Sequence, residues 1–345
     1  MKKILLACSI AALFVAAKNI PSRAKDCALL TYTANGNDGY LIRKENIADN
    51  IRKITGESTS ADFKIKGDSN GNAYVEVFAK ANNKNLSREE TQKILNEKYV
   101  LEIQQSNGEL RLTAKRKSAF AWSLNNSDNI NLVFNVHVPS RVATTITTTS
   151  GDVQLYGLEG DQQFRGTSGD IFAEKITGNI SIVTTSGDAS LTDINGTAFS
   201  FDGTSGDLNL ANGQFRHLKT TTSSGDISIH NVSSNVTANS ASGDLRIVLK
   251  QGSLQASSAS GDQHIEIKNP TDFIRTRSGS GDVLVRVPGS VGADVDVKGG
   301  SVSMSSKSKF AGDISKERGA VGKWNGGGIP IEIKTGSGDI NLDWN

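Results

Sequence analysis

Nine aspartates each follow a Ser-Gly pair: Asp152, Asp170, Asp188, Asp207, Asp226, Asp244, Asp262, Asp282 and Asp339. The first eight are separated by 18, 18, 19, 19, 18, 18 and 20 residues. If the chain coils once per repeat, these carboxylates form a file about 4.8 Å apart. In water, unit charges at that distance repel by roughly 1 kcal/mol per pair. Turn amides and serine hydroxyls could offset this by hydrogen bonding to the carboxylates. Alternatively, calcium could bridge neighbouring repeats along the edge from Asp152 to Asp282. The chain lacks the Gly-Gly-x-Gly-x-Asp nonapeptide of calcium-binding β-rolls, which favours the hydrogen-bonded arrangement.

A second constellation depends on register. If the residue after each aspartate points inward, His230, Arg246, His264, Glu266 and Arg286 share one outward face over four repeats. Arg246 then neighbours His264, and Glu266 neighbours Arg286. Such a group suits an anionic or sugar ligand, or acid–base chemistry; the plainer reading, which surface charges favour, is a solvated face with cross-repeat charge pairs. The four histidines (His137, His217, His230, His264) show no metal-ligand spacing, and the chain has no His-Glu-x-x-His or Gly-x-Ser-x-Gly. Beyond calcium no cofactor is expected. Long β-helices that cleave polysaccharides build grooves from loop insertions. Here the repeats differ by only one or two residues, so a polysaccharide-active enzyme is the alternative and a non-enzymatic module the primary expectation.

The elements that must position these residues are short strands. After most of the turn aspartates comes an apolar residue (Val153, Ile171, Ala189, Leu208, Ile227, Leu245, Val283, Ile340), and a second apolar column follows two positions later. Period-two alternation predicts a strand with these columns inward. Mid-repeat, Ile180 and Ile182, Phe199 and Phe201, or Ile331 and Ile333 predict a second strand. Two strands and two turns make a flattened coil; a third short side stays open. Glycine suits the turn by tolerating positive φ. The last step, from Asp282 to Asp339, spans 57 residues, three times 19. Degenerate turns at Gly300-Ser301-Val302 and Gly319-Ala320-Val321 would fill it. Gln263 and Lys323 fall in inward columns and mark irregular rungs. One such coil cannot bury enough apolar surface to fold alone, so the fold expected is all-β: a β-solenoid of about ten rungs of 18–20 residues.

Residues 25–145 lack the period. Tyr74–Phe78, Leu110–Thr113 and Asn131–Val138 alternate as strands, and Ser87-Arg88-Glu89-Glu90 is a capping box opening a helix to about Glu97. They predict a small antiparallel β domain with one short helix, placed to cap a solenoid domain at 146–345. Lys2 and Lys3 followed by the apolar run Ile4–Ala17 read as a signal peptide over 1–24, cleaved after Ala17 or Ala24. Cleavage after Ala24 removes four cations and takes the net charge from +2 to −2. Cys8 would leave with the signal and Cys27 would remain as a lone thiol. Near-neutral charge gives no case for nucleic acid, and no later apolar run would span a membrane as a helix.

The strand ending at Val138-Pro139, the threonine-rich 144–149, and the recurring Ser-Gly-Asp-apolar units from Ser150 onward resemble the bacterial putative-adhesin family of Ser-Gly-Asp β-strand repeat proteins, a domain-of-unknown-function family. The resemblance covers about residues 60–345. It implies an exported or envelope-associated β-solenoid for which adhesion is proposed. The expectation for this chain is an adhesin-like interaction or scaffold module, periplasmic or at the cell surface, whose partner is an envelope or surface protein or a glycan. It implies no catalytic residues.

Overall fold

A computed structural model describes residues 39–68, 72–81, 86–117, 129–315 and 318–345. The signal-peptide reading of 1–24 and both cysteines lie outside the described residues. Among the described residues the regular structure is strand apart from one helix, Arg88–Lys98. No helix among the described residues is long and apolar enough to cross a membrane.

The alternation works as a solenoid requires. Each repeat contributes a strand leading into the Ser-Gly-Asp turn and a strand leaving it, and each kind stacks in its own parallel column. Partners lie one repeat apart, as in Ile171 opposite Ala189 and Ile180 opposite Phe199. The inward residues Val153, Ile171, Ala189, Leu208, Ile227, Leu245, Val283 and Ile340 are all buried. They join the mid-repeat Ile180, Ile182, Phe199 and Phe201 in one continuous core. Each coil thereby buries its apolar face against the next, which a lone coil cannot do.

The pre-turn column runs Glu109–Arg116, Lys53–Ser58, Ala143–Thr148, Gln162–Gly166, Ile180–Thr184 and Ala198–Gly203, then the later halves of Leu208–Thr222, Ile227–Ser240 and Leu245–Ser258. It ends with Pro270–Ser278, Ile329–Thr335 and Ala293–Lys298. The post-turn column begins Ile130–Val138, Asp62–Gly67, Val153–Tyr156, Ile171–Thr177 and Ala189–Asn195. It continues through the earlier halves of the three long strands and ends with Gln263–Ile267, Val283–Val287, Ile340–Trp344 and Val302–Met304. Among the described residues, twelve coils are stacked in parallel.

Two of those coils precede the first Ser-Gly-Asp. Residues 53–67 form a coil whose corner, Ser60-Ala61-Asp62, lacks the glycine, and this coil sits between 109–138 and 143–156. Antiparallel strands complete that end: Tyr40–Asn46 and Tyr74–Ala81 beside Ile130–Val138, and Tyr99–Ser106 beside Glu109–Arg116. The helix starts at the expected capping box, with Ser87 accepting from the Glu90 amide and Glu90 accepting from the Ser87 amide. It buries Thr91 and Leu95.

The C-terminal register differs from the sequence reading. Ile340–Trp344 pairs directly with Val283–Val287, and Ile329–Thr335 with Pro270–Ser278. No coil intervenes. The rung at Ser301 exists, with Val302 buried, but it stacks beyond the last Ser-Gly-Asp coil. The rung expected at Ala320 is instead a strand, Gly319–Trp324, antiparallel to both Ala293–Lys298 and Phe310–Ser315. Its phase is shifted by one residue, which exchanges faces. Ala320 and Trp324 face inward, Lys323 is exposed and Val321 is 61% exposed. Trp324 and Trp344 stack at 4.2 Å near this end.

Candidate functional site

The aspartate file is built by the turn. The backbone amide of each turn aspartate donates to Oδ1 of the aspartate one coil earlier, at 2.8–3.0 Å, in an unbroken ladder from Asp62 to Asp339. The carboxylates therefore bond across coils rather than within their own turns. Desolvation, with the charges of Asp188 and Asp226, raises the Asp207 carboxyl above its ordinary value, and the Asp226 amide opposes the shift. No three metal-ligating side chains converge anywhere among the described residues.

The turn glycines serve a different purpose from the expected one. None of the Ser-Gly-Asp glycines has positive φ. A Cβ on any of them would lie 1.8–2.1 Å from the carbonyl oxygen of the corner one coil earlier. Close backbone approach selects glycine here, and positive φ does not. The serine-type turn also comes from elsewhere. A Thr or Ser three residues before the glycine accepts its amide, as Thr148 does from Gly151, Thr222 from Gly225 and Ser240 from Gly243.

The register places part of the outward group from His230 to Arg286 in adjacent coils. Arg246 lies opposite His264, and Glu266 opposite Arg286. His230 is exposed and separated from Glu266 by Val248, so it stands apart from the others. Glu266 is the register neighbour of Arg286, but the ion pair of Arg286 goes to Asp343. The Arg286 Nε donates to Asp343 Oδ2 at 3.2 Å, and its Nη1 lies 3.4 Å from His264 Nε2. Asp343 enters because the last Ser-Gly-Asp coil lies directly beside the coil of Arg286. Half-burial, then the Arg286 and Arg246 guanidiniums, lower the His264 pKa, while Glu266 pulls the other way. The His264 ring lies between two guanidiniums, and with Arg246 exposed the group is equipped to hold an anionic or polyhydroxyl ligand.

The sequence reading missed a second outward file nearer the N-terminal end. Tyr74 stacks on His137 at 4.5 Å, Lys44 lies over Tyr74, and Lys66 and Lys175 flank the Tyr156 ring. Lys175 Nζ also donates to the Tyr156 hydroxyl at 2.8 Å. Finding this file required placing the non-periodic strands in register with the repeat. His137 and Lys44 lie against the Tyr74 ring and two lysines against Tyr156, so the file stiffens the flank more than it offers a ring face to a sugar.

A parallel two-column solenoid with an amide–carboxylate ladder along one corner defines the class: a β-strand repeat protein whose sides are its accessible surfaces. The chain belongs to the Toastrack DUF4097 family, whose model matches residues 51–274 and 250–343. It is similar to a putative adhesin from Parabacteroides distasonis, with 12% identity, 88% of this chain and 98% of that chain covered, and a TM-score of 0.43. It is also similar to a putative adhesin from Parabacteroides merdae, with 11% identity, 87% and 94% covered, and a TM-score of 0.41. A third similar structure is a putative lipid binding protein from Parabacteroides distasonis, with 16% identity, 87% and 95% covered, and a TM-score of 0.41. Comparison with curated proteins gives no match.

Proposed function

We propose that this chain is a non-enzymatic exported envelope protein, an adhesin-like interaction or scaffold module that presents one flat side of its solenoid to a protein or glycan partner. The observation that carries this reading is the grouping of Arg246, His264 and Arg286 on an outward face whose coils keep nearly constant length. No long loop walls that face into a cleft between 143 and 287. Inside the coil, a hollow near Ile146, Phe164 and Ile182 measures about 10 Å³, room for one water at most. Flat faces with convergent donors suit a macromolecular partner better than a small substrate.

The test replaces Arg246 and His264 by alanine and compares glycan-array binding and envelope pull-downs with the wild type, after melting confirms the fold. Loss of a captured glycan or protein supports the site, and unchanged binding removes it. Fractionation with protease accessibility addresses the location. Retention of the chain in the cytoplasm overturns the export reading.

A further inference from the structure

The late coils, stacked out of chain order, bring three cations into one file on the other outward face. On the pre-turn side Arg277 lies opposite Lys334, and Lys334 opposite Lys298. The insertion of Ile329–Thr335 between the two earlier strands creates this adjacency. The neighbouring file holds Arg275, Glu332 and Asp296. Its acids are already engaged: Glu332 pairs with Arg275 at 3.1 Å, and Asp296 with Lys334 at 3.2 Å. Phe273 supports Arg275 at 4.5 Å. Arg277 and Lys298 are exposed, and neither side chain has an ion pair or hydrogen bond among the described residues. Cations stacked about 4.8 Å apart repel one another. In the aspartate file an amide answers each carboxylate, whereas here one acid serves three cations.

We propose that Arg277, Lys334 and Lys298 form a binding strip for a linear polysaccharide bearing carboxylates. The strip is one file wide and runs along the solenoid axis, and its step is comparable to the length of one sugar ring. A single anionic chain could lie along it and meet a cation at each coil. A broad anionic membrane would also press against Glu332 and Asp296, which it would repel. The proposal shares the reading that the solenoid's sides are interaction surfaces, but it concerns a different side from Arg246 and His264.

The experiment titrates the full chain with fluorescein-labelled hexagalacturonate. A neutral dextran oligomer and vesicles of phosphatidylcholine with phosphatidylglycerol run in parallel. The variants are Arg277→Ser with Lys298→Ser, and Arg246→Ala with His264→Ala, each checked by melting. The wild type is expected to bind hexagalacturonate in a salt-sensitive manner and to ignore dextran. The strip variant should bind about tenfold more weakly at low salt, with a shallower salt dependence. Introduced into the Arg246/His264 variant, the Arg277→Ser and Lys298→Ser changes should weaken binding by the same factor as in the wild type. Wild-type strength in the strip variant overturns the proposal. So does absence of wild-type binding at low salt, or binding to anionic vesicles but not to hexagalacturonate. Loss in the Arg246/His264 variant alone also overturns it, while supporting the other face as the binding side.

Discussion

At Gly243 an added Cβ would lie 1.9 Å from the carbonyl oxygen of Gly225. The added Cβ is fixed to one backbone and the oxygen belongs to the backbone of the neighbouring coil, so neither can move without displacing a ladder. Gly326 is the contrast: its φ is +87°, yet nothing lies within 4 Å of the place a methyl group would occupy. Gly243→Ala is expected to cost about 3 kcal/mol, the upper end of overpacking penalties, and Gly326→Ala about 1 kcal/mol from left-handed strain alone. Urea denaturation of the two variants checks this, and equal losses would contradict the close-approach account. His264 gives a pH dependence. Its folded pKa lies below the ordinary 6.5, so the native state binds fewer protons than the unfolded chain. Stability is therefore full above 6.5, and it is lost as pH falls through that value towards the depressed one. His137, lowered chiefly by desolvation and next by Lys66, acts in the same sense. His264→Asn should flatten the decline between about pH 7.5 and 5.5; an identical slope in wild type and variant would rule His264 out as a source.

Among the elements, the repeat strands are legible in the sequence because two local signals coincide there. Alternation marks the inward columns, and Ser-Gly-Asp marks the corner. Gln263 shows how an irregular rung is absorbed. It is 1% exposed in the core, yet its amide donates to the Arg277 carbonyl at 2.7 Å and its Oε1 accepts from Thr276. A satisfied buried amide costs little beside an unsatisfied one. Where Gly166 and Gly203 replace the usual Thr or Ser before the turn, the rings of Phe164 and Phe201 fill the space a Cβ would need. The Ala320 segment departs from its expected place for a physical reason. A hairpin strand and a coil strand alternate identically, and only the partner decides which residues face inward. The Arg246–His264 and Glu266–Arg286 adjacencies follow from the period, but the Asp343 contact does not, because it depends on which coil docks next.

At the scale of the whole molecule, the earliest and the latest coils among the described residues both lie inside the stack. Residues 53–67 sit between coils 109–138 and 143–156. Residues 329–344 sit between coils 270–287 and 293–304. Trimming a simple solenoid from one end removes a terminal repeat and leaves its neighbours intact. Here, deletion of residues 329–345 should also strip 293–304 of its parallel partners. Hydrogen exchange is expected to show loss of protection over 293–324 while coils 143–267 keep theirs. Retained protection over 293–324 would mean that the inserted coil is dispensable.

That interleaving also governs how the stacked coils would carry a load. Tension entering through residues 329–344 acts on a coil gripped from both sides, so the bonds on its two flanks must yield together. A terminal coil held on one side could peel away one bond at a time. A tether drawn taut through this end would therefore meet a clamp before any unravelling began.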